Sequence, residues 1–347
     1  MKKNSLTTIS KIQEKIRLKP KYIIVLGCIA LICICLITLL SSKTDNTHAK
    51  DIYIYPGDKY VNIKQTLQNE GIISSKNTSF AAYCKLLSYD RHIKAGHYVI
   101  KPNTSVFRMV RKLKNGNQTP VNVVINSVRT AEDFSKKAAS SLMMTEEELM
   151  AEIKAKGYQY DNDVFEFVIP DTYQFYWNVS PKKFLERLKS ESDRFWNDNK
   201  QKAKLTQLTR KEIVILASIV NEETNKNDEK PVIAGVYLNR LHKGMMLQAD
   251  PTVRFAVGDF TVKRITAQHL KTESPFNTYK NLGLPPSPIC LPSLSSINAV
   301  LKYKKHNYLY FCAKEDFSGY HNFAATDKEH IQNAIRYRKA LNARGIK

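Results

Sequence analysis

The sequence predicts an α+β protein with three parts: an N-terminal transmembrane helix, a small α+β domain and a larger, mostly helical α+β domain. Three observations predict it. Residues 23–40 form one uncharged run made mostly of Ile, Leu, Val, Ala and Cys. Short strand-like and helix-like stretches then alternate to about residue 126. Beyond that point the pattern is mostly helical, with helix starts marked by hydroxyl–carboxylate pairs. At 347 residues and 43% apolar composition, the chain can build two domains, each with its own core.

The apolar run suits a membrane helix, which needs roughly 20 residues. Lys2, Lys3, Lys11, Lys15, Arg17, Lys19 and Lys21 precede it, against the single acid Glu14. A basic flank stays in the cytoplasm and sends the C-terminal side outward. A cleaved signal peptide fits less well, because its apolar core usually runs roughly 7–15 residues and no A-x-A-like site follows. The expected organisation is a cytoplasmic tail at 1–21, a single-pass helix at 22–41, a polar linker at 42–49, a small domain at 50–126 and a larger one at 127–347.

The formal net charge of +22 would suggest nucleic acid on an intracellular protein. Export excludes that partner. The basic surface is either simply solvated or drawn to an anionic cell envelope. Cys28, Cys33 and Cys35 fall in the membrane run; Cys84, Cys290 and Cys312 are exported, an odd number at wide spacing. Buried free thiols account for them better than disulfides or a metal site.

In the small domain, residues 51–55 alternate as a strand and end at the turn Pro56-Gly57-Asp58. Residues 61–69 and 79–88 read as helices and 96–101 as a strand. Thr104 and Ser105 can cap a helix through Leu113, and 119–126 is a further strand. Tyr83, Tyr89, His97 and Tyr98 read as core or rim. No catalytic cluster is visible here.

In the larger domain, Thr130-x-x-Asp133 and Thr145-x-x-Glu148 look like helix starts; in such a box the two side chains satisfy orphan backbone N–H groups reciprocally. Residues 165–177 are the most aromatic stretch, with Pro170-Asp171-Thr172 as a central turn. Residues 182–197 form an amphipathic helix. Thr209-x-x-Glu212 opens another, in which Ile213, Val214, Leu216, Ala217 and Val220 give one strongly apolar face. Residues 230–242 follow, with Pro231 in the first turn. The stretch 247–253 alternates Gln248, Asp250 and Thr252, but Pro251 argues against a central strand, so an extended loop is expected. Residues 275–288 form a proline-stiffened loop, 308–312 a buried strand and 328–341 a final basic helix.

Asn221, Glu222, Glu223 and Thr224 end the apolar helix. Two adjacent carboxylates there oppose the helix dipole, and partial burial would raise a carboxyl pKa toward neutrality, where it can act as a general acid. The plainer alternative is a pair of solvated helix-end residues neutralised by Lys226 or Lys230. The nearby segments 247–253 and 274–279 favour the first reading, because they supply a second carboxylate and neutral polar groups suited to a hydroxyl-rich sugar chain. The eight histidines show no metal-binding spacing, Ser218 lies on no nucleophile elbow, and no cofactor is called for. His321, in Gly319-Tyr-His-Asn-Phe323, can either bind substrate or cap a turn.

At these residues the chain resembles the endolytic murein transglycosylases of the YceG/MltG family. The matching segments are Ala217-Ser-Ile-Val-Asn-Glu-Glu-Thr224, Gly235-Val-Tyr-Leu-Asn-Arg240, Leu247-Gln-Ala-Asp-Pro-Thr-Val253, Phe276-Asn-Thr-Tyr279, Gly283-Leu-Pro-Pro286, Tyr308-Leu-Tyr-Phe311, Pro170-Asp-Thr-Tyr173 and Lys94-Ala-Gly-His-Tyr98. The resemblance implies a single-pass protein of the inner (cytoplasmic) membrane, with a LysM-like domain at 50–126 and a catalytic domain at 127–347. It implies internal cleavage of peptidoglycan glycan strands between N-acetylmuramic acid and N-acetylglucosamine, leaving 1,6-anhydro ends, and a link to peptidoglycan synthases. It makes Glu223 catalytic, and Gln248, Asp250, Thr252, Asn277, Tyr279 and His321 candidates for holding the glycan. Asn221 departs from the family pattern, which has an acid there. A water-using muramidase and a non-catalytic wall-binding scaffold are the alternatives.

Overall fold

A computed structural model of the chain describes residues 20–345, except Lys76 and Lys263. The described residues fall into two compact units, divided between Thr119 and Pro120. Most of the expected cytoplasmic tail, residues 1–19, lies outside the described residues. Pro20–Ser41 is one 22-residue helix, α1. Side chains at 20–21, 32–36 and 39–40 also lie outside the described residues. Among the described ones, no helix is long and apolar enough to cross a membrane.

In the first unit, β1 (Lys50–Ile54) pairs antiparallel with β2 (Gly96–Ile100). Strand alternation turns Ile52 and Ile54 inward and leaves Asp51 and Tyr53 out. Three helices complete the unit: α2 (Tyr60–Asn69), α3 (Thr78–Leu86) and α4 (Val106–Asn115). Their apolar stripes supply Ile63, Leu67, Phe80, Met109, Val110 and Leu113 to the core. Tyr83, Tyr89 and Tyr98 are buried with them. Buried His97 places Nε2 2.7 Å from Asp51. Residues 42–49 are not a free linker. Thr44 N donates to Thr104 O at 2.8 Å, and Asn46 Nδ2 donates to Ile100 O at 3.1 Å. Short polar side chains here satisfy backbone groups of the unit.

The strand expected at 119–126 is β3 (Val121–Ile125). It belongs to the second unit, where it pairs antiparallel with β4 (Asp171–Phe175). The Pro-Asp-Thr segment therefore enters a strand and does not turn back. Tyr173 and Phe175 are the inward positions of β4, and they join Phe134, Phe165 and Phe184 in one aromatic core. Around it lie α5 (Ala131–Ala139), α6 (Glu146–Lys154) and α7 (Pro181–Asp198), followed by the short α8 (Lys200–Thr206). The capping boxes at Thr130 and Thr145 both form.

A second core surrounds α9 (Arg210–Glu223), which starts at the Thr209–Glu212 box. All eight residues from Ile213 to Val220 are buried, where only one buried face was expected. The helix is central because α10 (Lys230–His242), α11 (Asp250–Val257) and α12 (Leu294–Leu301) all pack against it; a helix apolar all round belongs in a core. The α11 helix corrects the expected loop. Pro251 does exclude a strand, but it sits in the first helical turn, where no N–H is needed. The chain ends with β5 (Tyr310–Ala313) paired antiparallel to β6 (His321–Ala324), and with α13 (Asp327–Ala343) packed on that pair. β5 is half-buried and not fully buried, since a two-stranded sheet has few neighbours to cover it.

Gly235 permits the close approach that shapes this second core. A Cβ built there would lie 2.5 Å from Lys304 O and 2.6 Å from His306 Nε2. Gly235→Ala should therefore destabilise the chain by about 1–3 kcal/mol, the range for overpacking a core. The shift in the urea midpoint measures it, and an unchanged midpoint would contradict the packing argument.

Candidate active site

The two carboxylates that end α9 part company. Glu222 turns to Arg129, with Nη2 donating to Oε2 at 2.9 Å, and takes a further donation from Asn221 Nδ2 at 3.3 Å. Glu223 instead accepts a hydrogen bond from Tyr237 Oη, on α10, at 2.5 Å. The lysines that could have neutralised the pair are engaged elsewhere. The Lys226 ammonium lies 4.8 Å from the centre of the Tyr320 ring. Lys230 Nζ donates to the Ser295 hydroxyl at 3.0 Å. Asn221, standing where the family pattern has an acid, accepts from Ser293 N and Ser296 Oγ at 3.1 and 3.0 Å. It thereby braces the start of α12.

Glu223 opens on a cavity of about 250 Å³ that Tyr237, Gln248, Asp250, Tyr279 and His330 also line. A larger hollow of about 680 Å³ beside Tyr176, Lys183 and Arg187 has no acid among its lining residues, so it offers no comparable proton donor. Glu223 is partly exposed and forms part of the cavity wall. Burial pushes its carboxyl up to about 7, while the Tyr237 hydrogen bond pulls the other way. Asp250 and Glu222 add to the rise, and the Arg254 charge opposes it. Burial, followed by the charge of Glu223, holds the Tyr237 hydroxyl well above its ordinary range. Tyr237 is therefore a donor throughout the neutral range.

Arg240, also on α10, organises the cavity wall. Its Nε donates to Leu309 O at 2.6 Å, and its Nη1 donates to Leu247 O at 2.8 Å and to Gln248 Oε1 at 3.4 Å. One planar guanidinium thus ties the segment before β5 to the segment before α11. Gln248 is held with φ of 50°, in the left-handed region that non-glycine residues rarely adopt. Asp250 stands in the first turn of α11, where the helix dipole favours an anion, and accepts from Tyr279 Oη at 2.7 Å.

The structure brings Glu223, Gln248, Asp250 and Tyr279 together. It does not bring Thr252, Asn277 or His321 to the cavity wall. Thr252 is fully buried; its hydroxyl donates to Ala249 O at 2.7 Å and meets Thr278 Oγ1 at 2.8 Å. Asn277 is fully buried and donates to Leu270 O and Thr272 O at 3.0 and 2.8 Å, while its Oδ1 accepts from Tyr279 N. Both shape the loops under the site. His321 pairs through N and Nδ1 with Glu229, at 2.7 and 2.9 Å, which pins β6 near the start of α10. Tyr237, Arg240 and His330 are the polar cavity residues that were not among the sequence candidates; the apolar Leu247 and Phe311 complete the wall. Among the described residues, no group of three or more His, Cys, Asp or Glu side chains could hold a metal ion. Cys84, Cys290 and Cys312 are free thiols.

Residues 52–336 match the YceG-like family. The chain belongs to that family. This YceG-like chain is 27% identical over 321 residues to the endolytic murein transglycosylase of Bacillus subtilis strain 168, covering 86% of this chain and 88% of that protein. It is 24% identical over 337 residues to the endolytic murein transglycosylase of Streptococcus pneumoniae serotype 2 strain D39, covering 86% of this chain. It spans 60% of that pneumococcal protein. Its fold is similar to the crystal structure of a yceG-like protein from Listeria monocytogenes, with a TM-score of 0.51 and 28% identity over 84% of this chain and 99% of that one.

The raised pKa has a consequence for stability. A carboxyl whose folded-state pKa exceeds its ordinary value of 4.5 stabilises the fold while protonated, and that contribution is lost as pH rises through about 7. Glu223→Gln removes the titration. The variant should be more stable than the parent at pH 8, by up to about 3 kcal/mol for this shift, with the gap closing toward pH 4. Urea midpoints at the two pH values test this, and a gap independent of pH would contradict it.

Proposed function

We propose that this chain is a membrane-anchored endolytic murein transglycosylase. The observation that carries the reading is the place of the Glu223 carboxyl, on the wall of a polar cavity, held by a tyrosine donor and pushed by burial up to about 7. The names of the relatives in Bacillus and Streptococcus support the substrate class. In this reading α1 is the anchor in the cytoplasmic membrane, residues 1–19 lie on its cytoplasmic side, and both units face the murein. The first unit acts as a LysM-like wall-binding module. Peptidoglycan synthases, which make the strands this enzyme cuts, are its natural neighbours.

The chemistry uses one carboxyl twice. With Tyr237 donating to Oε1, the proton of Glu223 sits on Oε2 and passes to the glycosidic oxygen as the bond to C1 of N-acetylmuramic acid breaks. The resulting carboxylate, still accepting from Tyr237, removes the proton of the C6 hydroxyl of the same sugar. That oxygen closes on C1 and forms the 1,6-anhydro ring. The N-acetylglucosamine leaving group keeps the first proton, Glu223 regains one, and no water is consumed. Asp250 holds negative charge beside the site, where it steadies the positive charge developing at C1. Gln248 and Tyr279 flank the sugar.

Asp250 favours a second reading, because a carboxylate in the same cavity could activate water as in two-carboxylate glycosidases. Product ends separate the two. Mass spectrometry of digested sacculi should find anhydro-muramic ends; reducing ends would establish hydrolysis instead. Glu223→Gln, folded as the parent, should release less than about a hundredth of the parent's fragments, since a general acid typically contributes 10²–10⁴-fold. Near-parental release would remove Glu223 from the mechanism.

Tyr237→Phe tests the donor. Its hydrogen bond lowers the Glu223 pKa, so its loss should raise that pKa and carry the alkaline limb of the pH–rate profile to higher pH. An alkaline limb that stays in place, or moves down, would contradict the assigned role.

A further inference from the structure

His330 lies on α13, about 100 residues beyond Glu223 in the chain, yet lines the same cavity. Its ring stacks on Tyr310 of β5, with centroids 5.2 Å apart and planes 19° from parallel. That contact fixes the plane of the imidazole. Its Nδ1 is buried and finds no hydrogen-bond partner among the described residues. An N–H at that atom would be an orphaned donor, which folded proteins avoid more strictly than an orphaned acceptor. The neutral ring therefore carries its proton on Nε2.

The ring is also held neutral. Burial lowers its pKa below the ordinary histidine range, with the charge of Arg240 acting in the same direction and Asp327 opposing both. The Arg240 guanidinium packs against the same Tyr310 ring, 5.2 Å from its centre. Three other polar side chains of the cavity are already committed: Tyr237 to Glu223, Tyr279 to Asp250, and Arg240 to backbone carbonyls. His330 is left with an Nε2 donor that no group among the described residues takes up.

We propose that His330 is a substrate-binding residue whose Nε2–H donates to an uncharged oxygen of the bound glycan, an acetamido carbonyl or a hydroxyl. The proposal rests on the glycan-cleaving reading above and adds a residue to that site. A neutral donor suits this task better than a cation, because it holds the sugar without adding a positive charge beside the centre at which positive charge develops.

Binding in the Glu223→Gln background separates this from turnover. The full-length chain in detergent would be titrated calorimetrically with the β-1,4-linked tetramer of N-acetylglucosamine. His330→Phe keeps the stack on Tyr310 and removes the donor, so Kd should rise roughly three- to tenfold, the worth of one neutral hydrogen bond. His330→Gln, which restores an N–H donor, should recover at least part of that loss. An unchanged Kd in a folded His330→Phe variant would overturn the proposal. Should the phenylalanine variant fail to fold, the glutamine variant decides: a Kd close to the parent's supports the donor, and a Kd raised tenfold overturns it. Repeating the titration with the glucose tetramer, which has hydroxyls in place of acetamido groups, tells the two acceptors apart: sensitivity to His330→Phe only with the acetylated tetramer identifies the carbonyl, and sensitivity with both identifies a hydroxyl. Anhydro-product formation by the parent chain, measured in parallel, decides the catalytic reading independently of these affinities.

Discussion

The site depends on the burial of a carboxyl at the end of a helix whose central turns have no solvent face. Helix α9 contributes eight consecutive buried residues to the larger core, each large aliphatic one worth roughly 1.5–3 kcal/mol. That burial fixes the position of its C-terminal turn. Two acids in that turn are locally unfavourable, since they meet the negative end of the helix dipole. The structure resolves the conflict asymmetrically. Glu222 receives Arg129 and becomes one half of an ion pair. Glu223 accepts instead from a neutral tyrosine hydroxyl, so desolvation dominates and the proton stays on to near neutrality. Adjacent residues of the same type thus acquire different roles from their partners alone.

The rest of the cavity is a matter of holding loops in place. Arg240 bonds carbonyls on both sides of the cavity, and its own position follows from α10, which Gly235 lets pack closely against the segment at 304–306. Thr252 and Thr278 join α11 to the loop that carries Tyr279, and Asn277 closes that loop on itself. His321 and Glu229 tie the β5–β6 hairpin to the start of α10. These residues act on the chemistry by positioning others. The strained backbone of Gln248 fits the same pattern, because unfavourable conformations persist where surrounding contacts over-determine them.

What the sequence made legible, and what it hid, follows from range. Glu223 was legible because its cues lie close together in the chain: a capping box at Thr209, an apolar run, carboxylates where the dipole disfavours them, and the polar segments at 247–253 and 274–279 that follow. Asp250 was legible as a carboxylate near an acid, but its helix was not, because Pro251 speaks against a strand without saying which alternative follows. Thr252 and Asn277 looked like sugar ligands because a sequence shows polar groups and not whether the protein itself consumes their hydrogen bonds. Tyr237 resembles any core tyrosine on an apolar helix until α9 and α10 are packed together. His330 reaches the cavity only through the fold of the C-terminal hairpin and helix. The pairing of β3 with β4 was hidden for the same reason, since the two strands are separated by some 45 residues.

The central claim is that the Glu223 carboxyl of the folded protein retains its proton at pH values where an ordinary glutamate has lost it. Selective ¹³C labelling of the glutamate carboxyls, with the Glu223→Gln spectrum used for assignment, would read its titration directly. The expected midpoint is near pH 7. A midpoint in the ordinary carboxylate range, near 4.5, would show that the helix end is open to water and would leave the cavity without its acid.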